Sequence, residues 1–249
     1  MKSFVLVTGA SSGIGQSCAE LLAEQGANLI LVARRYERLE ALKNKLETAF
    51  GVEIKIFSVD VSDETQVREF FESIKDISVS TVINNAGLSR GRDKFQDSQW
   101  TDLSEMIQTN VLGFTLVARK SIPKLIKTKG HLINISSIAG REPYVGGHVY
   151  CGTKSFVKSF SKALRKDLLG TQVRVTDIAP GAVETEFSVV RFHGDKSAAD
   201  KVYDSFDNLI AKDIAEAVLF AIKAPKRVNI EEMVVYPTNQ ASPVEIYRN

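Results

Sequence analysis

Thr8-Gly9-Ala10-Ser11-Ser12-Gly13-Ile14-Gly15 joins a short apolar run at 3–8 to an amphipathic stretch at 14–25. Three glycines within seven residues at a strand-to-helix junction let the backbone approach a pyrophosphate. The helix N-terminus then offers free N–H groups and a partial positive charge to the anion. The spacing is G-x-x-x-G-x-G rather than G-x-G-x-x-G. Taken alone it also fits a methyltransferase, another nucleotide binder or an ordinary tight turn.

The same alternation runs to the C-terminus. Apolar runs at 28–33, 53–59, 81–84, 131–136, 173–178 and 232–236 read as strands, and they are nearly all apolar rather than alternating, as expected of strands covered on both faces. Helical patterns lie between them at 36–50, 64–75, 100–127, 150–169 and 213–224. Gly26 and Gly170 stand where helix C-terminal caps are wanted, and Asp63 and Ser98 are candidate N-caps. The pattern predicts one α/β domain over 1–249, a doubly wound seven-stranded parallel sheet with helices on both faces. Residues 181–208 break the rhythm and are expected to form a substrate-covering loop with short helices.

Lys and Arg number 32 against 30 Asp and Glu, a net charge of +2, which argues against a nucleic-acid or anionic-membrane partner. No run approaches 18 apolar residues, and only four apolar residues, Phe4–Val7, follow Met-Lys-Ser, too few for a signal peptide. Cys18 and Cys151 are too few for a disulfide framework or a zinc site. A cytoplasmic protein with a small-molecule substrate is expected.

The second strand ends in Ala33-Arg34-Arg35. An acidic residue here would hold the 2′-hydroxyl of NAD; two guanidiniums suit the 2′-phosphate of NADP. Asp60 and Val61, at the end of the third strand, are candidates to border the adenine.

Tyr150 and Lys154 stand at i and i+4 on one helical face. A neighbouring cation favours phenolate, and a phenol tuned towards neutrality passes a proton to or from a substrate oxygen. Alone, this pair is a common accident of helix surfaces. Its context is more specific: Ser137 follows the fifth strand, Asn84-Asn85 the fourth, and ligands of open α/β sheets bind at those carboxyl edges. Asn110, inside a helical pattern that Asn disfavours, suggests a hydrogen-bonding task.

Together the glycine turn, Asn84-Asn85-Ala86-Gly87, Ser137, Tyr150-x-x-x-Lys154 and Pro180-Gly181 resemble the short-chain dehydrogenase/reductase family over essentially the whole chain. The resemblance implies a single Rossmann-type domain, assembly into a homotetramer, and Asn110, Ser137, Tyr150 and Lys154 as a catalytic tetrad. Tyr150 would be the acid/base, and Ser137 would steady the developing alkoxide. Lys154 would lower the Tyr150 pKa and hold the nicotinamide ribose, while Asn110 would fix a relay water. Gly9, Ser11, Ser12, Gly13 and Ile14 would cradle the phosphates and Asn85 the ribose. Pro180, Gly181, Val183 and Thr185 would hold the nicotinamide end. Ser12 stands where some NADP-dependent members carry Arg or Lys, so NADP is read from Arg34 and Arg35.

The segments around 149–157, 174–178, 185–192 and 228–230 further resemble the NADP-dependent 3-hydroxy acid dehydrogenases, which act on serine, allo-threonine or 3-hydroxypropionate. Arg141 and Arg191 are the candidates to receive a substrate carboxylate; each would otherwise be a surface or intersubunit arginine. A reductase of uncharged ketones or sugars and a non-catalytic cofactor sensor remain as alternatives. His131, His148 and His193 are too scattered for a metal site, and none is assigned. Phe156, Phe160, Leu164 and Leu168 form an apolar stripe for core packing or for an oligomer contact.

Overall fold

The computed structural model describes residues 2–248. Its main sheet is built from β1 (Phe4–Thr8), β2 (Asn28–Ala33), β3 (Ile54–Ser58), β4 (Val79–Asn84), β5 (His131–Ile135), β6 (Arg174–Pro180) and β9 (Glu232–Val235). All neighbours are parallel, in the order β3-β2-β1-β4-β5-β6-β9. The order reverses at β1, so a crevice opens beyond its carboxyl end, between β2 and β4.

The helices are α1 (Gly13–Glu24), α2 (Tyr36–Phe50), α3 (Glu64–Ser73), α4 (Trp100–Ile107), α5 (Phe114–Thr128), α6 (His148–Asp167), α7 (Phe187–Arg191), α8 (Lys196–Tyr203) and α9 (Ala211–Lys223). Side chains of each strand alternate between two cores. Val5 and Val7 pack with residues of α1, α2 and α9, whereas Phe4 and Leu6 pack with residues of α3, α5 and α6. Burial on both faces explains the mostly apolar inner strands β1, β2, β4 and β5.

Predicted and observed elements differ by a residue or two at most ends, and three departures bear on function. The helical pattern at 100–127 is interrupted by a π-helical segment, Gln108–Gly113, between α4 and α5. Ser98 does not cap α4: its hydroxyl binds the Lys94 carbonyl and the His148 ring, while Asp63 does cap α3 through the Gln66 N–H. Residues 181–208 carry the short helices α7 and α8. A two-stranded ribbon, β7 (Val183–Glu184) with β8 (Leu209–Ile210), closes the segment's base.

Candidate active site

One cavity of about 610 Å³ runs along the carboxyl edge of the sheet, within the usual size range of ligand sites. Its first wall is the turn between β1 and α1. Gly9 adopts φ +67°, and a Cβ there would lie 2.7 Å from the Asn85 amide nitrogen, so only glycine fits. That amide donates to the Thr8 carbonyl at 2.9 Å, and the Thr8 hydroxyl accepts from the Asn85 and Ala86 N–H groups, both at 3.0 Å. The ends of β1 and β4 are thereby tied together. Ser12 starts α1 without a side-chain cap, and no acidic residue stands in the first turn. A helix N-terminus with neither cap nor carboxylate, lining a cavity, fits a pyrophosphate.

Arg34 and Arg35 line the next section. Arg35 donates to Ser11 Oγ from Nε at 3.2 Å and to Ser12 Oγ from Nη2 at 2.8 Å. The guanidinium that the glycine turn lacks in sequence thus arrives from the end of β2. Arg34 lies 3.9 Å from Asp60, whose carboxylate accepts from the Ser62 N–H and hydroxyl. Asp60 and Val61 line the cavity, as do Pro180, Gly181, Val183 and Thr185 at its other end.

Ser137, Tyr150 and Lys154 meet there. Ser137 follows β5; its hydroxyl accepts from Ala139 N–H at 3.1 Å. Gly140 lets this turn lie on α6, since a Cβ would come within 2.5 Å of the Lys154 backbone. Lys154 is 6% exposed; its ammonium donates to the Ile135 carbonyl at 3.0 Å and stands 5.9 Å from the Tyr150 ring centre. Burial lowers its pKa to about 8. Tyr150 is likewise buried, and burial pushes its phenol above the ordinary value, while Arg191 and Ser137 pull it down. The Lys154 ammonium is turned to the Ile135 carbonyl. The resting phenol is therefore protonated.

Asn110 sits in the π segment and is buried at 2% exposure. Its Oδ1 accepts from Leu88 N–H at 2.9 Å, and its Nδ2 donates to the Leu88 carbonyl at 2.7 Å and to Thr153 at 3.2 Å. It fixes the loop after β4 against α6 rather than lining the cavity.

The two candidate arginines part company. Arg141 does not line the cavity. Its guanidinium binds Asp177 at 2.9 Å, and its Nε binds Glu232 at 2.7 Å. These carboxylates face each other across the β6–β9 pairing and need a shared cation, so assigning Arg141 to the substrate is corrected. Arg191 does line the cavity. It is 8% exposed and donates to Ser89 Oγ at 2.9 Å and to Tyr144 Oη at 2.5 Å, with its guanidinium carbon 5.1 Å from the Tyr150 ring centre.

Sequence reading missed Ser89 and Tyr144, which orient Arg191, and Arg92, whose guanidinium lies 5.3 Å from the Tyr144 ring. It also missed Glu186, which accepts from Arg38 at 2.7 Å and Arg35 at 3.0 Å. Arg38 above all, then Arg35, hold the Glu186 carboxyl below its usual range against partial burial. His148 binds Ser98 and the Asp93 carbonyl outside the cavity, and Cys151 is buried with a raised pKa. Among the described residues no group of His, Cys, Asp and Glu is placed to hold a metal. Among the described residues no helix is long and apolar enough to cross a membrane.

The chain is 45% identical over 248 residues to the NADP-dependent 3-hydroxy acid dehydrogenase of Schizosaccharomyces pombe, covering 98% of this chain and 96% of that one. It is 43% identical over 245 residues to the sulfoacetaldehyde reductase of Chromohalobacter salexigens, covering 97% and 96%. A closed form of serine dehydrogenase complexed with NADP+ superposes with a TM-score of 0.92 at 39% identity, covering 99% and 100%. With the profile named short chain dehydrogenase matching residues 3–195, the chain belongs to the short-chain dehydrogenase family.

Proposed function

We propose that the chain transfers a hydride between NADP and a small 3-hydroxy acid of the serine, allo-threonine or 3-hydroxypropionate type, or the matching semialdehyde. The observation that carries the substrate reading is Arg191, a buried guanidinium beside the proton-transferring phenol in the same cavity. Among the described residues its side-chain partners are the Ser89 and Tyr144 hydroxyls, and a buried cation held only by neutral groups calls for an anion. The acidic residues lining the cavity, Asp60 and Glu186, both stand near Arg34 and Arg35 at its far end. The relatives named for 3-hydroxy acids, serine and sulfoacetaldehyde act on small molecules carrying an acid group.

In reduction, the Tyr150 hydroxyl donates its proton to the carbonyl oxygen, and the Ser137 hydroxyl stabilises the charge developing there. In oxidation, Tyr150 must first lose that proton and then accept the substrate's. When bound, the nicotinamide supplies or receives the hydride at the substrate β-carbon. Lys154 holds the ribose hydroxyls and keeps positive charge beside Tyr150. Asn110 holds the loop over Lys154 and orders a relay water. Gly9, Ser11, Ser12, Gly13 and Ile14 carry the phosphates, Asn85 the ribose, Asp60 and Val61 the adenine, and Arg34 and Arg35 the 2′-phosphate. Pro180, Gly181, Val183 and Thr185 hold the nicotinamide end. The same reading takes the chain as one domain with 181–208 covering the substrate, acting in the cytoplasm as a homotetramer. Exposed Trp100 and Leu112 on the long helical segment support an assembly, which light scattering checks against four times 27.4 kDa.

Cofactor turnover with L-serine, L-allo-threonine, 3-hydroxypropionate and simple alcohols, with NADP and NAD in parallel, tests the reading. The acids should exceed the alcohols with NADP, and Tyr150→Phe should abolish turnover while NADPH still binds. Equal rates on uncharged alcohols, together with an Arg191→Ala variant indifferent to acids, would refute acid recognition. NADPH binding without turnover of any compound would leave a cofactor sensor.

A further inference from the structure

Helix α7 is held at both ends. At its C-terminal end Arg90, itself paired with Glu105, donates to the Val190 carbonyl at 2.6 Å, and Gly91 N–H donates to the Arg191 carbonyl at 2.9 Å. At its N-terminal end Glu186 receives Arg38 through both oxygens, at 2.7 and 2.8 Å, and Arg35 at 3.0 Å. Arg38 and Arg35 lie at the start of α2, across the adenosine end of the cavity. Glu186 and Arg191 are only five positions apart in the chain. The short helix therefore spans from the rim beside Arg35, which faces the cofactor's 2′-phosphate, to the guanidinium facing the substrate.

We propose that Glu186 is a positioning residue: clasped by Arg38 and Arg35, it fastens the N-terminal end of α7 to the cofactor rim and thereby seats Arg191 over Tyr150. The division of Arg35 makes this compatible with cofactor binding. Its Nη1 serves Glu186, while Nε and Nη2 face the Ser11 and Ser12 hydroxyls, the side on which a phosphate would be received. Removing Glu186 also removes a negative charge near that phosphate, so cofactor affinity should not suffer with the loss of the clasp. A carboxylate that merely oriented Arg35 for the phosphate would show the opposite pattern. Glu186 and Arg38 are each nearly half exposed, and exposed ion pairs are individually weak. The expected effect is therefore modest.

The inference rests on the reading of Arg191 as the acid-binding cation. The test uses the full chain as Glu186→Gln, Arg38→Met and the double variant. NADPH dissociation is followed by fluorescence, KM and kcat are measured with 3-hydroxypropionate, and amide exchange of residues 187–194 is recorded with NADPH bound. Each single variant should raise KM about five-fold and hold kcat and the NADPH dissociation constant within about two-fold. Each should also speed exchange across α7. The double variant should be no worse than Glu186→Gln, which already loses the Arg38 contact. Unchanged exchange across α7, an NADPH dissociation constant rising in step with KM, or multiplying effects in the double variant would overturn the clasp. Faster exchange with unchanged KM overturns the link to Arg191 if Arg191→Ala itself raises KM. If Arg191→Ala also leaves KM unchanged, the acid-binding reading fails and the fastening of α7 stands.

Discussion

Asn110 binds the backbone of Leu88 in both directions, accepting from its N–H and donating to its carbonyl. Both Leu88 groups are buried, so an apolar side chain at 110 leaves a donor and an acceptor unsatisfied. Asn110→Leu should cost about 2–4 kcal/mol in urea unfolding. A loss below about 1 kcal/mol would show that the Leu88 bonds are not what this side chain contributes.

Arg141→Met should destabilise by about 3–5 kcal/mol, because Asp177 is 1% exposed and loses its counter-charge beside Glu232. Adding Asp177→Asn should recover part of that loss. In folded Arg141→Met, KM for 3-hydroxypropionate should stay within about two-fold of the parent. A selective rise in KM would return this arginine to the substrate.

His131 is buried, and its Nε2 bonds Thr176 at 2.8 Å. The Thr176 hydroxyl donates to the Ile230 carbonyl, so it accepts from the imidazole, which leaves Nδ1 bare. Burial, with a smaller contribution from Arg174, lowers the His131 pKa from 6.5 to about 3. Between these values the unfolded chain binds the extra proton, so stability rises with pH across this window and is lost as pH falls through it. Denaturant titrations at pH 6.5 and 4 should show roughly 3 kcal/mol lost through this residue. His131→Gln should flatten that slope. An unchanged acid limb would place the titration elsewhere.

Arg35→Ala removes the guanidinium that reaches Ser11 and Ser12. Charge-assisted bonds contribute about 1.5–3 kcal/mol each, so kcat/KM for NADP should fall about ten- to a hundred-fold. Activity with NAD should hardly move. Parallel losses with both cofactors would mean that Arg35 supports the turn rather than the 2′-phosphate.

The sheet was legible because inner strands covered on both faces are mostly apolar, and the glycine turn because its backbone approaches Asn85 too closely for a Cβ. The π segment was not, since an inserted residue leaves the surrounding helical periodicity intact. Arg141 and Arg191 read alike as loop arginines. What separates them is the β6–β9 register, which sets Asp177 beside Glu232 and is nowhere local in the chain. Glu186 and Arg38, 148 residues apart, likewise share no sequence pattern. Spacing shows that Lys154 is near Tyr150; only the fold shows its charge aimed at the Ile135 carbonyl.

The widened helical turn at 108–113 carries one consequence for how such a chain can change. Excising a single residue there would restore regular winding, and the flanking coils could close up with little protest from the hydrophobic layers. Asn110 would then swing away from Leu88, and the pocket would lose its scaffold while the architecture endured. Shape and chemistry can thus be uncoupled by one codon.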